Sequence, residues 1–229
     1  MTIAAVFFDL DGTLIDSAAG VALALNTALA EAELPGFELA TVRSWIGDGP
    51  DALILRALDA SRLRDVDLPS LAAHLRRRFD AATLATPSAQ GSPYDGIAAL
   101  LSQLDERYPM AVVTNKPTPL ARAVLKAAGL LDHFAQVHGA DVPEQRKPSP
   151  LLIQQAARQL GVAPQDVLLV GDGTADQLAA QAAGSRCAWA SWGYGPVPST
   201  LANGVWRLDA PADLLARLPT HDLHCTPIH

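Results

Sequence analysis

Apolar residues run almost without interruption from Ile3 to Leu10, rich in Val, Ile and Phe, and the run stops at Asp11-Gly12. Such a block predicts a strand buried on both faces, the kind that parallel sheets use. Shorter apolar blocks recur at Met110 to Val113, Val167 to Val170 and Ala188 to Ala190, and more weakly at Val205 to Leu208. Between them, helical spacing runs over Ile97 to Leu104, Pro119 to Ala128, Pro150 to Leu160 and Ala175 to Ala183. Gly129, Gly161 and Gly184 are placed to stop three of these helices. Strand and helix thus alternate from about Gly91 onward, which predicts an α/β fold with a Rossmann-like, doubly wound parallel sheet.

The stretch between the first strand and this rhythm has a different pattern. Val21 to Ala32, Pro50 to Ala60 and Leu68 to Ala82 show helical spacing and no convincing strand. Asp16-Ser17 offers an N-cap pair at one edge, and the Pro, Ser and Gly of Thr86 to Pro93 suit a hinge at the other. The expected organisation is a core of residues 1–15 and 91–229, with residues 16–90 inserted as an all-helical cap.

Composition narrows the class of protein. The 229 residues carry 17 basic and 24 acidic side chains, a net charge of -7, which leaves no basic surface for a nucleic-acid backbone. An apolar fraction of 49% is that of a self-folding globular chain. The two cysteines, Cys187 and Cys225, exclude a disulfide scaffold and point to a reducing compartment. No apolar stretch reaches the roughly 20 residues of a membrane span. A cytoplasmic protein with no nucleic-acid or membrane partner is expected, as a monomer or a homodimer. The tail with His221, His224, Cys225 and His229 fits no strong zinc spacing and is expected as a solvated end.

The chemistry gathers at strand ends. Asp9 and Asp11 flank Leu10, and the strand period of two aims both side chains past the carboxyl edge of the sheet, where open α/β folds bind ligands. Gly12 then lets backbone N–H groups turn toward an anion. Asp172, inside Gly171-Asp172-Gly173, follows another buried strand and brings a third acid to the same edge. Three carboxylates repel unless a cation lies among them, and hard oxygen donors favour Mg²⁺. Asp176 either caps the following helix or supports the metal. Thr114 and Asn115 end a third strand and suit oxyanion binding, and Lys147 precedes Pro148 on a loop or helix start. Lys116 and Arg146 are expected as ordinary surface charges.

These residues resemble the four motifs of the haloacid dehalogenase superfamily, in order and over nearly the whole chain: DLDGT at Asp9 to Thr13, Thr114, Lys147, and GDGTAD at Gly171 to Asp176. The position of the helical insert resembles the subclass with a helical cap. SWIGDGPDALILRAL from Ser44, VVTNKPTPL from Val112, KPSPLL from Lys147 and WGYG from Trp192 are similar to bacterial phosphoglycolate phosphatases.

The resemblance implies a Mg²⁺-dependent phosphomonoester hydrolase acting on a small phosphorylated metabolite, 2-phosphoglycolate first, with another sugar or metabolite phosphate or a phosphomutase reaction as alternatives. It implies that Asp9 attacks phosphorus to form an aspartyl-phosphate while Asp11 protonates the leaving group and then takes a proton from water. Mg²⁺ would be held by Asp9, Asp172 and the carbonyl of Asp11, and the phosphate by Gly12, Thr114, Asn115 and Lys147. Substrate choice falls to the cap, with Arg43 and the Gly47-Asp48-Gly49 turn as candidates. Asp48 stands where these phosphatases often carry asparagine, and its charge opposes an anionic substrate unless it points away. A dinucleotide-binding oxidoreductase fails because Asp176 occupies the position where its fingerprint needs glycine. A non-catalytic binding protein on the same fold leaves four filled motif positions unexplained.

Overall fold

The computed structural model describes residues 2–63, 67–197 and 201–218. Strand β1 (Ala5–Phe8) leads into β2 (Ile15–Asp16), then α1 (Ala18–Glu31), α2 (Leu39–Trp45), α3 (Pro50–Ala60) and α4 (Leu68–Ala85). After β3 (Ser92–Pro93) come α5 (Ile97–Leu104), β4 (Met110–Thr114), α6 (Thr118–Ala127), β5 (Gln136–Gly139) and α7 (Leu151–Leu160). The chain continues through β6 (Val167–Gly171), α8 (Thr174–Ala183), β7 (Arg186–Ala190), β8 (Trp206–Leu208) and α9 (Asp213–Arg217). His221, His224, Cys225 and His229 lie outside the described residues.

Six strands form one parallel sheet in the order β5-β4-β1-β6-β7-β8. Alternate side chains of each strand enter opposite layers. Val6, Phe8, Val112, Leu168 and Val170 pack with α5 and α6, whereas Ala5, Phe7, Ala111, Val113 and Leu169 pack with α7 and α8. Burial on both faces is why β1 has no polar position: all four of its residues are buried. The sheet is therefore doubly wound, with β1 at its centre and the strand order running outward from it in both directions. That geometry places the ends of β1, β4 and β6 side by side.

Helices α1 to α4 pack around a separate apolar cluster, with Leu25, Leu29, Ile54, Leu75 and Phe79 at its centre and Leu120 of α6 beneath. The chain leaves and re-enters the sheet layer through the short antiparallel pair β2 and β3, where Ile15 faces Pro93 and Asp16 faces Ser92. Ser17 makes no side-chain cap on α1. The hydroxyl of Tyr194, far along the chain, accepts from Ala18 N at 2.9 Å and donates to Asp16 Oδ1 at 2.8 Å.

Several elements differ from the pattern. β1 ends at Phe8 and not at Leu10, because Leu14 N and Ile15 N both donate to Leu10 O and curl the chain into a turn. Helix α2 was not visible in the pattern: one of its seven residues, Val42, is buried, so it carries almost no apolar stripe. The strand β5 was also missed. It sits at the sheet edge and alternates half-buried Gln136 and His138 with Val137 and Gly139.

Candidate active site

The turn after β1, the end of β4, the loop before α7 and the β6–α8 junction meet at one edge of the sheet. Asp9 continues the β1 ladder by donating its N–H to Val170 O at 2.9 Å, which fixes its backbone against β6. Its Oδ1 lies 2.7 Å from Lys147 Nζ. Lys147 is buried; its ammonium also donates to Asp176 Oδ1 at 2.5 Å and to Val113 O at 3.1 Å. Asp176 Oδ2 accepts from Gly173 N at 3.1 Å, so this acid both caps α8 and faces the lysine.

Asp172 is held by three donors: Thr13 Oγ1 at 3.1 Å, Tyr194 N at 2.7 Å and Gly195 N at 3.3 Å. The backbone comes this close only because glycines surround it. A Cβ on Gly193 would stand 2.2 Å from Asp172 Cβ, and one on Gly12 would stand 2.4 Å from Asp172 Oδ2. Gly12 also has φ +85°, a conformation that favours glycine. Its own N–H donates to Ile15 O at 2.9 Å. The expectation of a Gly12 N–H turned toward phosphate is corrected accordingly, because the turn consumes that donor and the residue's role is to make room for Asp172.

Asp9, Asp172 and Asp176 each offer a carboxylate oxygen, these atoms lying within 4.8 Å of one another, and all three residues are buried. Burial pushes Asp9 up to about 6, with Lys147 opposing and Asp176 adding to the rise. Burial and the charge of Asp9 likewise push Asp172 up to about 6. Asp176 is raised by burial despite Lys147. Burial draws the Lys147 ammonium down, but Asp176 and Asp9 outweigh it and hold it above the usual lysine range. Lys147 thus pairs with Asp9 and Asp176, and Asp172 is held by neutral donors. A set of hard oxygen donors short of positive charge fits a divalent cation. The carboxylate of Asp11 is outside this trio, and Asp176 is inside it.

Asp11 turns to Lys116, whose Nζ lies 2.8 and 3.0 Å from its two oxygens. Asp9 and Asp11 therefore serve different lysines, because the turn at Leu10 breaks the strand period. Lys116 is 5% exposed, and the expectation of a surface charge is corrected: its place directly after Thr114 and Asn115 carries it into the site. Arg146 is also no free surface charge. It is half-buried and pairs with Asp51 at the start of α3, which Arg76 of α4 shares.

Thr114 is buried at the end of β4, its Oγ1 accepting from Lys116 N at 3.2 Å. The Asn115 amide is not turned to an anion. Its Oδ1 accepts from Lys147 N at 2.7 Å and its Nδ2 donates to Gly47 O at 2.9 Å, joining the sheet edge to the α2–α3 turn. In that turn Asp48 pairs with Arg56, and Gly49 lies against the Asn115 carbonyl, which a Cβ would meet at 2.8 Å. The Arg43 guanidinium sits over the Tyr194 ring, 4.9 Å from its centre. Sequence reasoning missed Tyr194, Gly193 and Gly195 as parts of the site, although WGYG held the signal: glycines around an aromatic mark a loop that must approach something closely.

Two cavities open on this edge. One, of about 220 Å³, is bordered by Asp9, Asp11, Arg43, Lys147, Asp172 and Tyr194 among others. The other lies under Ile46, Pro50, Leu53 and Phe79 and is bordered below by Asp9, Asp11, Thr114 and Lys116.

Residues 3–184 match the family model of haloacid dehalogenase-like hydrolases. The chain belongs to the haloacid dehalogenase-like hydrolase family. It is 39% identical over 191 residues to the phosphoglycolate phosphatase of Yersinia pseudotuberculosis serotype I, covering 82% of this chain and 81% of the relative. The phosphoglycolate phosphatase of Rhodospirillum rubrum is 40% identical over 198 residues, covering 85% and 82%. Among solved structures, a predicted phosphoglycolate phosphatase from Haemophilus somnus 129PT superposes with a TM-score of 0.84 at 31% identity, over 94% of this chain and 98% of that one.

Proposed function

We propose that the chain is a Mg²⁺-dependent phosphatase that hydrolyses 2-phosphoglycolate through a phosphoryl group carried on Asp9, with residues 16–90 as its cap and the cytoplasm as its compartment. The observation that carries the chemistry is the buried trio of Asp9, Asp172 and Asp176, two of which, Asp9 and Asp176, pair with the ammonium of Lys147. The phosphoglycolate phosphatases at 39 and 40% identity support the substrate.

Mg²⁺ held by Asp9, Asp172 and the carbonyl of Asp11, with Asp176 behind them, would neutralise charge on the transferring phosphoryl group. Asp9 attacks phosphorus with a carboxylate oxygen, and the ester P–O bond breaks. Asp11, on the same cavity wall, gives its proton to the departing alkoxide. Water then attacks phosphorus, its proton passes to Asp11, and the P–O bond to Asp9 breaks to release phosphate. Lys147 holds Asp9 ionised and, with the Thr114 hydroxyl, grips phosphoryl oxygens. Asn115 acts indirectly by fixing the Lys147 backbone. In the cap, Arg43, Gly47, Asp48 and Gly49 close over the bound ester, and the Arg56 partner of Asp48 removes the objection that its charge repels an anion.

The test is orthophosphate release from a panel of phosphomonoesters with and without Mg²⁺. Release that is Mg²⁺-dependent and fastest with 2-phosphoglycolate is the expected result. A different preferred ester would overturn the substrate and spare the chemistry; no release from any ester would overturn both.

A further inference from the structure

The cavity beneath Ile46, Pro50, Leu53 and Phe79 is walled by hydrocarbon on the cap side. Among the described residues bordering it, Lys116 is the one cation. An ammonium is costly to bury, and here it is 5% exposed. The Asp11 carboxylate accounts for two contacts, from an ammonium with three N–H donors. Lys147 has no such spare capacity, being committed to Asp9, Asp176 and Val113 O. Arg43 borders the other cavity, with its guanidinium over the Tyr194 ring.

We propose that Lys116 is the specificity-determining residue that receives the second anionic group of the substrate, the carboxylate of a phosphorylated 2-hydroxy acid. This rests on the phosphatase reading above and deepens it. An ester with phosphorus before Asp9 has its bridging oxygen beside Asp11, and a carboxylate one methylene farther on lies beside the ammonium that Asp11 already holds. Against apolar walls an unpaired anion is strongly disfavoured, so a substrate carboxylate in this cavity is bound at Lys116. An uncharged alcohol group leaves the lysine paired with Asp11 alone and gains nothing from it.

The experiment compares kcat/KM for 2-phosphoglycolate and ethyl phosphate, which has the same carbon skeleton without the carboxylate, with saturating Mg²⁺. Wild type is expected to prefer the carboxylate ester by about a hundredfold or more, because the analogue leaves the third N–H of a buried ammonium without an acceptor. Lys116→Met is expected to shrink that preference by about tenfold to a hundredfold, chiefly through KM. Lys116→Gln, which keeps a hydrogen bond to Asp11 and is the less disruptive change, is expected to do the same. Arg43→Ala is expected to keep the preference. Equal losses on both esters in the Lys116 variants, or loss of the preference in Arg43→Ala alone, would overturn the inference. Wild type that hydrolyses both esters without preference would overturn it and leave a phosphatase; wild type that hydrolyses neither would overturn the phosphatase reading as well.

Discussion

The Nδ2 of Asn115 donates to Gly47 O at 2.9 Å while the Oδ1 of the same side chain accepts from Lys147 N at 2.7 Å. One amide thus ties the α2–α3 turn to the loop that delivers the buried lysine. Removing it leaves the buried Lys147 N–H without its partner, at a cost of about 1–3 kcal/mol. Asn115→Ala is expected to lower the unfolding free energy read from a urea titration by that amount and to reduce kcat/KM by at least about tenfold, the loss that about 1.4 kcal/mol represents. Wild-type values for both would show that the amide connects nothing of consequence.

A second prediction concerns Gly193. A methyl group there would collide with Asp172 Cβ at 2.2 Å and with its Oδ2 at 2.5 Å, so Gly193→Ala must displace the acid or the loop. Overpacking of this kind costs about 1–3 kcal/mol. Since Asp172 loses its position, the apparent affinity for Mg²⁺, read by calorimetry, is expected to fall by about tenfold or more. A destabilised variant with unchanged Mg²⁺ affinity would place the cation away from Asp172.

The third follows from the carboxyl groups pushed up to about 6, Asp9 and Asp172. Their folded pKa lies above the ordinary value of 3.8, so between these limits the folded, cation-free chain binds protons that the unfolded chain has released. Stability from these groups is therefore present at low pH and lost as pH rises through about 6. A cation must displace the same protons, so its apparent affinity should fall from pH 7 to pH 5 by about tenfold if one proton is displaced and about a hundredfold if two are. Titration calorimetry of the protein with Mg²⁺ at the two pH values checks this, and an affinity independent of pH would remove the trio as ligands.

Much of this architecture is legible in the chain, and the exceptions share a cause. The buried strands and the amphipathic helices announce themselves because burial on one or two faces imposes a period on the sequence. Helix α2 buries a single residue, Val42, and imposes none. Asp9 and Asp172 can be placed from strand ends, and Lys147 only through its resemblance to the third motif of the family. The partners of Asp11 and Lys116 cannot, because the turn closed by Leu10 O rotates Asp11 out of strand register. The role of Tyr194 depends on a contact to Asp16 and Ala18 across some 176 positions, which no local pattern encodes.

The central claim is a phosphoryl group on the side chain of Asp9. Acid-quenching wild type during turnover of 2-phosphoglycolate and weighing its peptides by mass spectrometry tests this directly. The expected result is one added phosphoryl group on the peptide containing Asp9, absent when Asp9→Asn is treated identically. A label on another residue, or an unlabelled enzyme throughout rapid turnover with Asp9→Asn still active, would contradict it.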